Sequence, residues 1–228
     1  MLRQVLAPIH PDGWRFVALF AVVTALLFWW STSLGWIGLV ATAWCAYFFR
    51  DPWRVTPRRD GLVVAPADGL VVSVGPAAPP AELGMGEAPM IRIGVFLSVL
   101  DVHVNRIPMT GRVVKLAYRA GKFINAGRDK ASEENERMAV RLATAERADI
   151  AVVQIAGFIA RRIVCTLGEG QDVVAGQRFG LIRFGSRTDT YIPSSWAVQA
   201  VPGQRVVGGE TVIADSRSQE PPRRGLAH

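Results

Sequence analysis

The pattern of apolar and polar positions divides the chain into two parts of different character. From Phe16 to Phe49 the sequence contains no charged residue. This run exceeds the roughly 20 apolar helical residues that cross a bilayer core. The small polar residues Ser31–Ser33, followed by Gly35, interrupt the run and are typical of a turn. The pattern therefore predicts a hairpin of two short apolar helices, at about Trp14–Trp30 and Leu34–Phe49.

Two other interpretations of the apolar run remain open. A single long helix could be accommodated by tilting in the bilayer. A cleaved secretory signal would use the small residues Ala41–Ala43, but the run is far longer than a signal and continues beyond that site. Arg15 and Arg50 flank the run, and the positive-inside bias then puts both ends on the cytoplasmic side. We expect a protein at the cytoplasmic face of the cell membrane, bound peripherally or anchored by the hairpin.

After Arg50 the pattern changes to short β-type runs that are separated by glycine and proline. Their spacing of about ten residues, without a long helical period, predicts an antiparallel barrel or sandwich. We therefore expect a mostly β fold, with the membrane-associating hairpin at residues 1–50, a β-rich catalytic domain at 51–215 and a disordered polar tail at 216–228. The predicted strands are Leu62–Ala65, Leu70–Val74, Ile91–Leu97, Arg112–Tyr118, Met138–Leu142, Ile150–Ile155, Arg161–Thr166 and Gly180–Phe184. The segment Pro76–Pro89 is predicted to be a surface loop.

Charge and cysteine usage narrow the choice of partners. The formal net charge of +7 indicates an acidic partner. The sequence has no dense basic helix, no zinc-ligand spacing and no pattern of alternating aromatic and basic residues. This argues against a nucleic acid or a metal and favours an anionic membrane surface. Cys45 and Cys165 lie in apolar runs rather than in a disulfide framework, which fits a reducing compartment.

Four short motifs follow one another along the β-rich part. They are PADG at Pro66–Gly69, DVHVNR at Asp101–Arg106, NER at Asn135–Arg137 and FGSR at Phe184–Arg187. A glycine–serine pair alone is typical of an ordinary turn. In this order, however, the four motifs resemble the short form of the phosphatidylserine decarboxylases. The resemblance extends from Phe48 through Pro193.

The resemblance implies a proenzyme that cuts itself between Gly185 and Ser186. The serine hydroxyl would attack the preceding carbonyl, and elimination followed by hydrolysis would leave a pyruvoyl group in place of Ser186. The large fragment 1–185 and the small fragment 186–228 would stay together as a heterodimer. The ketone would form a Schiff base with the amine of phosphatidylserine and accept electrons as carbon dioxide leaves, giving phosphatidylethanolamine. Glycine at position 185 would permit strained backbone and close approach of the nucleophile.

Such self-cleavage needs a base, and a histidine suits the task because it titrates near the operating pH. His10 precedes the apolar run and His228 is the last residue, so His103 is the candidate within the β-rich part. The family position for the carboxylate that orients the imidazole matches Asp68. Asp101 is the alternative, since it would share a strand face with His103.

The long form of the family differs from this chain at one position of the DVHVNR motif. It carries a second histidine three residues after the one that aligns with His103, and here that position is Arg106. Either His103 serves both self-cleavage and protonation of the product, or another group takes one of these roles. The sequence leaves both possibilities open.

The substrate that the resemblance implies carries a phosphodiester, which a guanidinium binds well. Arg106, Arg137 and Arg187 are the candidates for this contact. Asn125, in the run KFINAG, is a candidate pocket residue by resemblance alone. No metal ion is expected in the site.

A second resemblance gives an alternative from another class of protein. The segment Gly168–Arg187 is similar to lipoyl and biotinyl carrier domains, and Asp129–Ala131 mimics the tripeptide around their modified lysine. The chain would then be a membrane-tethered carrier or adaptor without catalysis, modified at Lys130. In either case the similarity indicates a fold that resembles the lipoyl-like barrel. A carrier would remain one chain, whereas the proenzyme would yield two fragments.

Overall fold

The computed structural model describes residues 7–121, 135–157, 162–183 and 185–226, and the chain divides into two compact units, Met1–Trp53 and Arg54–His228. In the first unit a short 3-10 turn, Pro11–Gly13, leads into helix α1, Trp14–Trp30. Helix α2, Thr32–Phe48, follows after the single residue Ser31. The predicted helical hairpin is confirmed, and its second helix begins two residues earlier than the pattern indicated.

Small side chains let the two helices approach closely. The hydroxyls of Thr24 and Thr42 lie 2.9 Å apart across the pair, and a Cβ at Gly38 would lie 3.1 Å from the Cα of Thr24. Such contacts are typical of helices that pack in lipid. Trp29 and Trp30 are each 88% exposed at the tip of the hairpin. Pro11–Trp30 is long and apolar enough to cross a membrane, whereas the apolar helix α2 is shorter.

The second unit is built from short antiparallel strands, which confirms the expectation of a mostly β fold. The described residues form fourteen of them. They are β1 Leu62–Val64, β2 Gly69–Ala77, β3 Met90–Leu97, β4 Val104–Arg106, β5 Gly111–Arg119, β6 Arg137–Thr144, β7 Asp149–Ala156, β8 Ile163–Cys165, β9 Asp172–Val173, β10 Arg178–Ile182, β11 Ser186–Ile192, β12 Ala197–Val198, β13 Arg205–Val206 and β14 Val212–Asp215. Each of the eight predicted strands overlaps one of these.

Strand β11 lies in the middle of the largest sheet, although the sequence pattern did not predict it. That sheet has the order β13-β2-β3-β11-β7-β6-β5-β9. Two smaller sheets have the orders β4-β10-β8 and β1-β14-β12. Because β11 pairs along its length with β3 and β7, its first residue, Ser186, is held by hydrogen-bonded strands on both sides.

The two faces of β11 pack against different parts of the unit. Paired residues share a face of a sheet and successive residues alternate between faces. Ser186, Thr188 and Thr190 therefore lie on one face, which we call the Ser186 face and which carries the main apolar core. The opposite face, the Arg187 face, carries Arg187, Asp189 and Tyr191. All seven residues of β11 are buried.

The proline-rich segment helps to cover the Arg187 face. It contains a 3-10 turn, Ala81–Leu83, and Leu83 is fully buried in a cluster with Tyr191. The prediction that Pro76–Pro89 is only a surface loop is therefore wrong in part. Its proline and glycine content is typical of a loop, but Leu83 packs on the sheet and Glu82 pairs with Arg137, which attaches the segment there.

Candidate active site

Ser186 begins β11 at the centre of the large sheet, where it pairs with Leu97 on one side and Ala156 on the other. Its side chain is fully buried. The preceding residue, Gly185, has a φ of +61°, in the left-handed region that side chains disfavour. A Cβ at Gly185 would meet no atom within 4 Å. Glycine is therefore required here by its backbone dihedral rather than by lack of space.

The imidazole of His103 faces the peptide that precedes Ser186. The Gly185 N–H donates to His103 Nε2 over 3.3 Å, and His103 Nδ1 lies 2.9 Å from the carbonyl oxygen of Asp101. A carbonyl can only accept, so these hydrogen bonds assign the proton to Nδ1 and the lone pair to Nε2. His103 is fully buried. The basic nitrogen thus points at the Gly185–Ser186 region.

The hydrogen bond at His103 Nδ1 goes to the main-chain carbonyl of Asp101, and the carboxylates of the two candidate orienting residues hold other groups in place. The Asp101 carboxylate accepts from the N–H and the hydroxyl of Ser98, at 2.8 and 2.7 Å, and pairs with Arg205. Residues 101–103 precede β4, so the shared strand face expected for Asp101 and His103 is not observed. 

Asp68 lies in the PADG turn and holds two other groups in place. Its carboxylate accepts from the Gly208 N–H at 2.8 Å and pairs with Arg54 at 2.6 Å. Through Gly208 it joins the turn to the segment that follows β13. A role of Asp68 toward His103 stays a prediction.

Two of the sequence motifs contact each other, and a third contacts the strand next to Ser186. The Arg106 N–H donates to the Pro66 carbonyl at 2.8 Å, which joins the DVHVNR run to the PADG turn. In the NER motif, the Asn135 amide donates to the carbonyl of Ala156 at 2.7 Å. Ala156 is the β7 residue that pairs with Ser186. The NER motif thus supports the strand next to the serine through Asn135, which the sequence analysis did not select.

The arginines proposed for phosphate binding have intramolecular partners. Arg106 is buried and donates to the Gly176 carbonyl at 2.9 Å. Arg137 forms a two-pronged ion pair with Glu82, at 2.7 and 2.9 Å. Burial opposes ionisation of Glu82, yet the hydrogen bond from Arg137 keeps the pKa of that carboxyl below its usual value. Asn125 lies outside the described residues.

The strand register separates two of these arginines from the serine hydroxyl. Arg137 pairs with Ile155, and Ile155 pairs with Arg187, so all three lie on the Arg187 face. Ser186 points to the other face. The structure therefore brings His103 to Gly185, the residue before Ser186, and does not bring the Arg137 or Arg187 side chains to the Ser186 side of the sheet. The substrate contacts remain predictions.

Two buried amides near the serine were not predicted. The side chain of Gln154 donates to that of Asn105 at 2.7 Å, and both are fully buried. Asn105 stands in the DVHVNR motif two residues after His103, and Gln154 is the one polar side chain inside the apolar run Ile150–Ala156. A lone amide in an otherwise apolar strand was a signal that could have been used, because such groups are buried only with partners.

Comparison with known proteins defines the class of the chain. Residues 41–214 match the family model described as phosphatidylserine decarboxylase. Three similar proteins are each named phosphatidylserine decarboxylase proenzyme. The one from Paramagnetospirillum magneticum is 57% identical, with 96% of this chain and 91% of the relative covered. The one from Cereibacter sphaeroides is 55% identical, covering 100% and 98%, and the one from Saccharopolyspora erythraea is 54% identical, covering 94% and 91%.

The chain belongs to the phosphatidylserine decarboxylase family, and it is a decarboxylase. This confirms the family that the four motifs indicated. It also decides against the carrier or adaptor alternative, because the family match covers most of the β-rich unit and the motifs on which that alternative rested. Lys130, the residue a carrier would modify, lies outside the described residues.

Proposed function

We propose that this chain, as a phosphatidylserine decarboxylase, cuts its own backbone between Gly185 and Ser186 and converts Ser186 into a pyruvoyl group. The observation that carries the proposal is the 3.3 Å contact between His103 Nε2 and the Gly185 N–H. It puts an imidazole lone pair within one residue of the Ser186 hydroxyl. Catalytic hydrogen bonds often tighten only as the reaction proceeds, so a shift of the imidazole toward the hydroxyl is compatible with this geometry.

The surroundings of Ser186 suit a nucleophile. Among the described residues its hydroxyl has no hydrogen-bond partner, and it is fully buried. Transfer of its proton to His103 would let the oxygen attack the Gly185 carbonyl carbon, which converts the amide into an ester. Removal of the Ser186 α-proton would then expel the Gly185 carboxylate and leave dehydroalanine at residue 186. Nucleophile and base in reach of each other are the usual signature of such covalent chemistry.

The position of Ser186 also fits a covalent pyruvoyl group. A pyruvoyl group supplies a ketone that accepts electrons from the bound amino acid when carbon dioxide leaves. At the start of β11 this group would be held by the backbones of β3 and β7 and shielded from bulk water. His103 would remain beside it and could donate the proton that replaces the carboxylate. The same imidazole would then serve self-cleavage and decarboxylation, so the chain would not need a second histidine at position 106.

The strand pairing supports a stable heterodimer of the two fragments. Strands β11 to β14 belong to the small fragment. Within the sheets, β11 pairs with β3 and β7, β13 with β2, and β14 with β1. Because every one of these partners lies in the large fragment, the cut chain would remain one folded body.

The substrate and the first unit together support a membrane location. Phosphatidylserine is an anionic lipid, and the chain combines a net charge of +7 with an apolar hairpin whose Trp29 and Trp30 are exposed. Indole rings favour the membrane interface. We expect the intact protein to float with vesicles that contain phosphatidylserine, and more weakly with neutral vesicles at high salt. Recovery only in the aqueous fraction in every case would contradict the location.

The cut itself is tested by replacing Ser186 with alanine. The wild type should run on a denaturing gel as fragments 1–185 and 186–228, whereas Ser186→Ala should stay one chain and release no carbon dioxide from phosphatidylserine. Ser194→Ala is the control, since Ser194 is exposed and should leave cutting unchanged. A Ser186→Ala protein that still splits and still decarboxylates would refute the proposal.

A further inference from the structure

A row of buried polar side chains, Thr188, Gln154 and Asn105, lies two residues along the strands from Ser186. In the large sheet Ser186 pairs with Ala156, and two residues further along Thr188 pairs with Gln154. The small sheet repeats this spacing, because Ile182 donates to the carbonyl of His103 and Gly180 pairs with Asn105.

The large sheet and the small sheet face each other at these positions. Ala156 packs with Ile182, and the Gln154 amide lies against Gly180, where a Cβ would come within 2.8 Å of Nε2. Gln154, and Asn105 to which it donates, therefore lie one pair of residues further along the strands than Ser186 and Ala156.

One main-chain carbonyl fixes the orientation of this row. The carbonyl of Val164 accepts from Gln154 at 3.2 Å, so the side-chain atom facing it must be the amide nitrogen. That nitrogen also donates to Asn105 over 2.7 Å, so the Asn105 atom facing it must be the oxygen. As a result the Asn105 NH₂ group and the Gln154 oxygen are turned elsewhere. Gly180 gives the amides room, since a Cβ there would lie 2.1 Å from the Val164 oxygen.

The polar atoms that this orientation leaves without a partner in the described part of the chain include both a donor and an acceptor. Among the described residues no hydrogen-bond partner is found for Asn105 Nδ2, Gln154 Oε1, Thr188 Oγ1 or Ser186 Oγ. All four side chains are fully buried. One amide donor, one amide acceptor and two hydroxyls match the bonding capacity of a water molecule, and ordered water commonly satisfies buried polar groups that the protein leaves unpaired.

The proposed reaction needs water at this place. Dehydroalanine at residue 186 isomerises to an imine, water adds to the imine carbon, and ammonia leaves as the C=N bond is replaced by C=O. The oxygen of this one water becomes the ketone oxygen, and its two hydrogens leave with the nitrogen as ammonia. Since His103 and Ser186 are fully buried, bulk solvent does not reach the carbon directly.

We propose that Asn105, Gln154 and Thr188 form a water-binding subsite that delivers the hydrolytic water to residue 186. The proposal rests on self-cleavage at Gly185–Ser186 and assigns residues to its last step. Loss of the subsite should slow hydrolysis of the imine while leaving the backbone cut intact.

Reduction with borohydride under native conditions separates the two steps. It converts the unhydrolysed imine at residue 186 into an alanyl end, which Edman chemistry can read, and converts pyruvoyl into a blocked lactyl end. Shortly after cutting, the wild-type small fragment should carry mainly the lactyl end. In Asn105→Leu and Thr188→Val the ratio of alanyl to lactyl ends should rise by about tenfold or more, as expected when a buried polar partner is lost.

Thr190→Val is the matched control, because Thr190 lies on the same strand and face, is fully buried, and its hydroxyl likewise lacks a partner in the described part of the chain. It should cut and hydrolyse as the wild type does. If Asn105→Leu does not fold, the nearly isosteric Thr188→Val decides the question.

The outcomes distinguish this subsite from the cut itself. A wild-type chain that never splits refutes the proposed function, and the subsite with it. Variants that split and give lactyl ends as fast as the wild type refute the subsite alone. The subsite is also refuted if Thr188→Val stays uncut while Thr190→Val is cut, because the row would then act before hydrolysis.

Discussion

The guanidinium of Arg187 and the carboxylate of Asp189 form an ion pair within the central strand, with Nε 2.5 Å from Oδ1. Both side chains are fully buried on the face of β11 opposite Ser186. Arg187 also donates to the hydroxyl of Ser73 on β2 at 2.9 Å. Gly94 leaves space for it, because a Cβ there would lie 2.5 Å from the guanidinium. Arg187 therefore stabilises β11 from the face opposite Ser186, through Asp189 on the same strand and Ser73 on β2.

Asp189→Asn should destabilise the fold strongly. It removes the carboxylate from a buried guanidinium, which typically costs about 3–5 kcal/mol. Urea unfolding on the uncut Ser186→Ala background, where one chain unfolds, measures the change. Asp172→Asn is the control, since the Arg112–Asp172 pair is exposed and 3.4 Å apart. Equal midpoints for the two variants would show that the buried pair is not a main support of β11.

The same strand shows why the sequence pattern found most of the sheet but not its centre. The other long strands carry an apolar face that the alternation of residues reveals. Strand β11 begins Ser-Arg-Thr-Asp-Thr, so both of its faces read as solvent-exposed. Its burial depends on the ion pair between Arg187 and Asp189 and on pairing with β3 and β7. These two strands are far from β11 in the sequence.

The candidate site was predictable to a similar extent. The motifs and the small number of histidines led to Ser186 and His103, and the structure puts His103 on the residue before Ser186. The group on His103 Nδ1 is the main-chain carbonyl of Asp101, which no pattern of side chains can reveal. Glu82 likewise meets Arg137 only because its proline-rich segment folds back over the sheet.

His103→Ala should slow the appearance of the two fragments by about a hundredfold or more, the usual contribution of a general base. The time course on a denaturing gel after synthesis of the chain measures this rate. His10→Ala is the matched control, because His10 lies in the first unit, where its ring accepts from the Asp12 N–H. Cutting of His103→Ala at the wild-type rate would remove the imidazole from the first step.

Tyr191 should make the fold sensitive to alkaline pH. Burial, followed by the charge of Asp189, raises the pKa of Tyr191 from 10.0 to about 12. In the unfolded chain the phenol ionises near its usual value, so above that pH only the unfolded state gains from losing the proton. The contribution of the neutral Tyr191 hydroxyl to the free energy of unfolding is fully present below pH 10. It is lost as the pH rises toward 12, and a shift of two pKa units corresponds to about 2–3 kcal/mol.

Urea unfolding of Ser186→Ala and of Ser186→Ala/Tyr191→Phe at a series of pH values tests this expectation. The first protein should lose more stability than the second between about pH 10 and pH 12, because phenylalanine has no proton to release. Parallel loss in the two proteins would show that the Tyr191 hydroxyl ionises as readily in the folded state as in the unfolded one.

Gly185 should be sensitive to the backbone preference of its substitute rather than to its size. The left-handed φ of +61° costs a residue with a Cβ roughly 1–2 kcal/mol, while the space around the position is open. Asparagine tolerates this conformation better than alanine, and β-branched valine tolerates it least. Cutting should therefore become slower in the order glycine, asparagine, alanine, valine. Gly75→Ala is the control, because Gly75 is equally uncrowded and its φ is not positive. If asparagine proved slower than alanine, bulk rather than the dihedral would limit the attack of Ser186 on the Gly185 carbonyl.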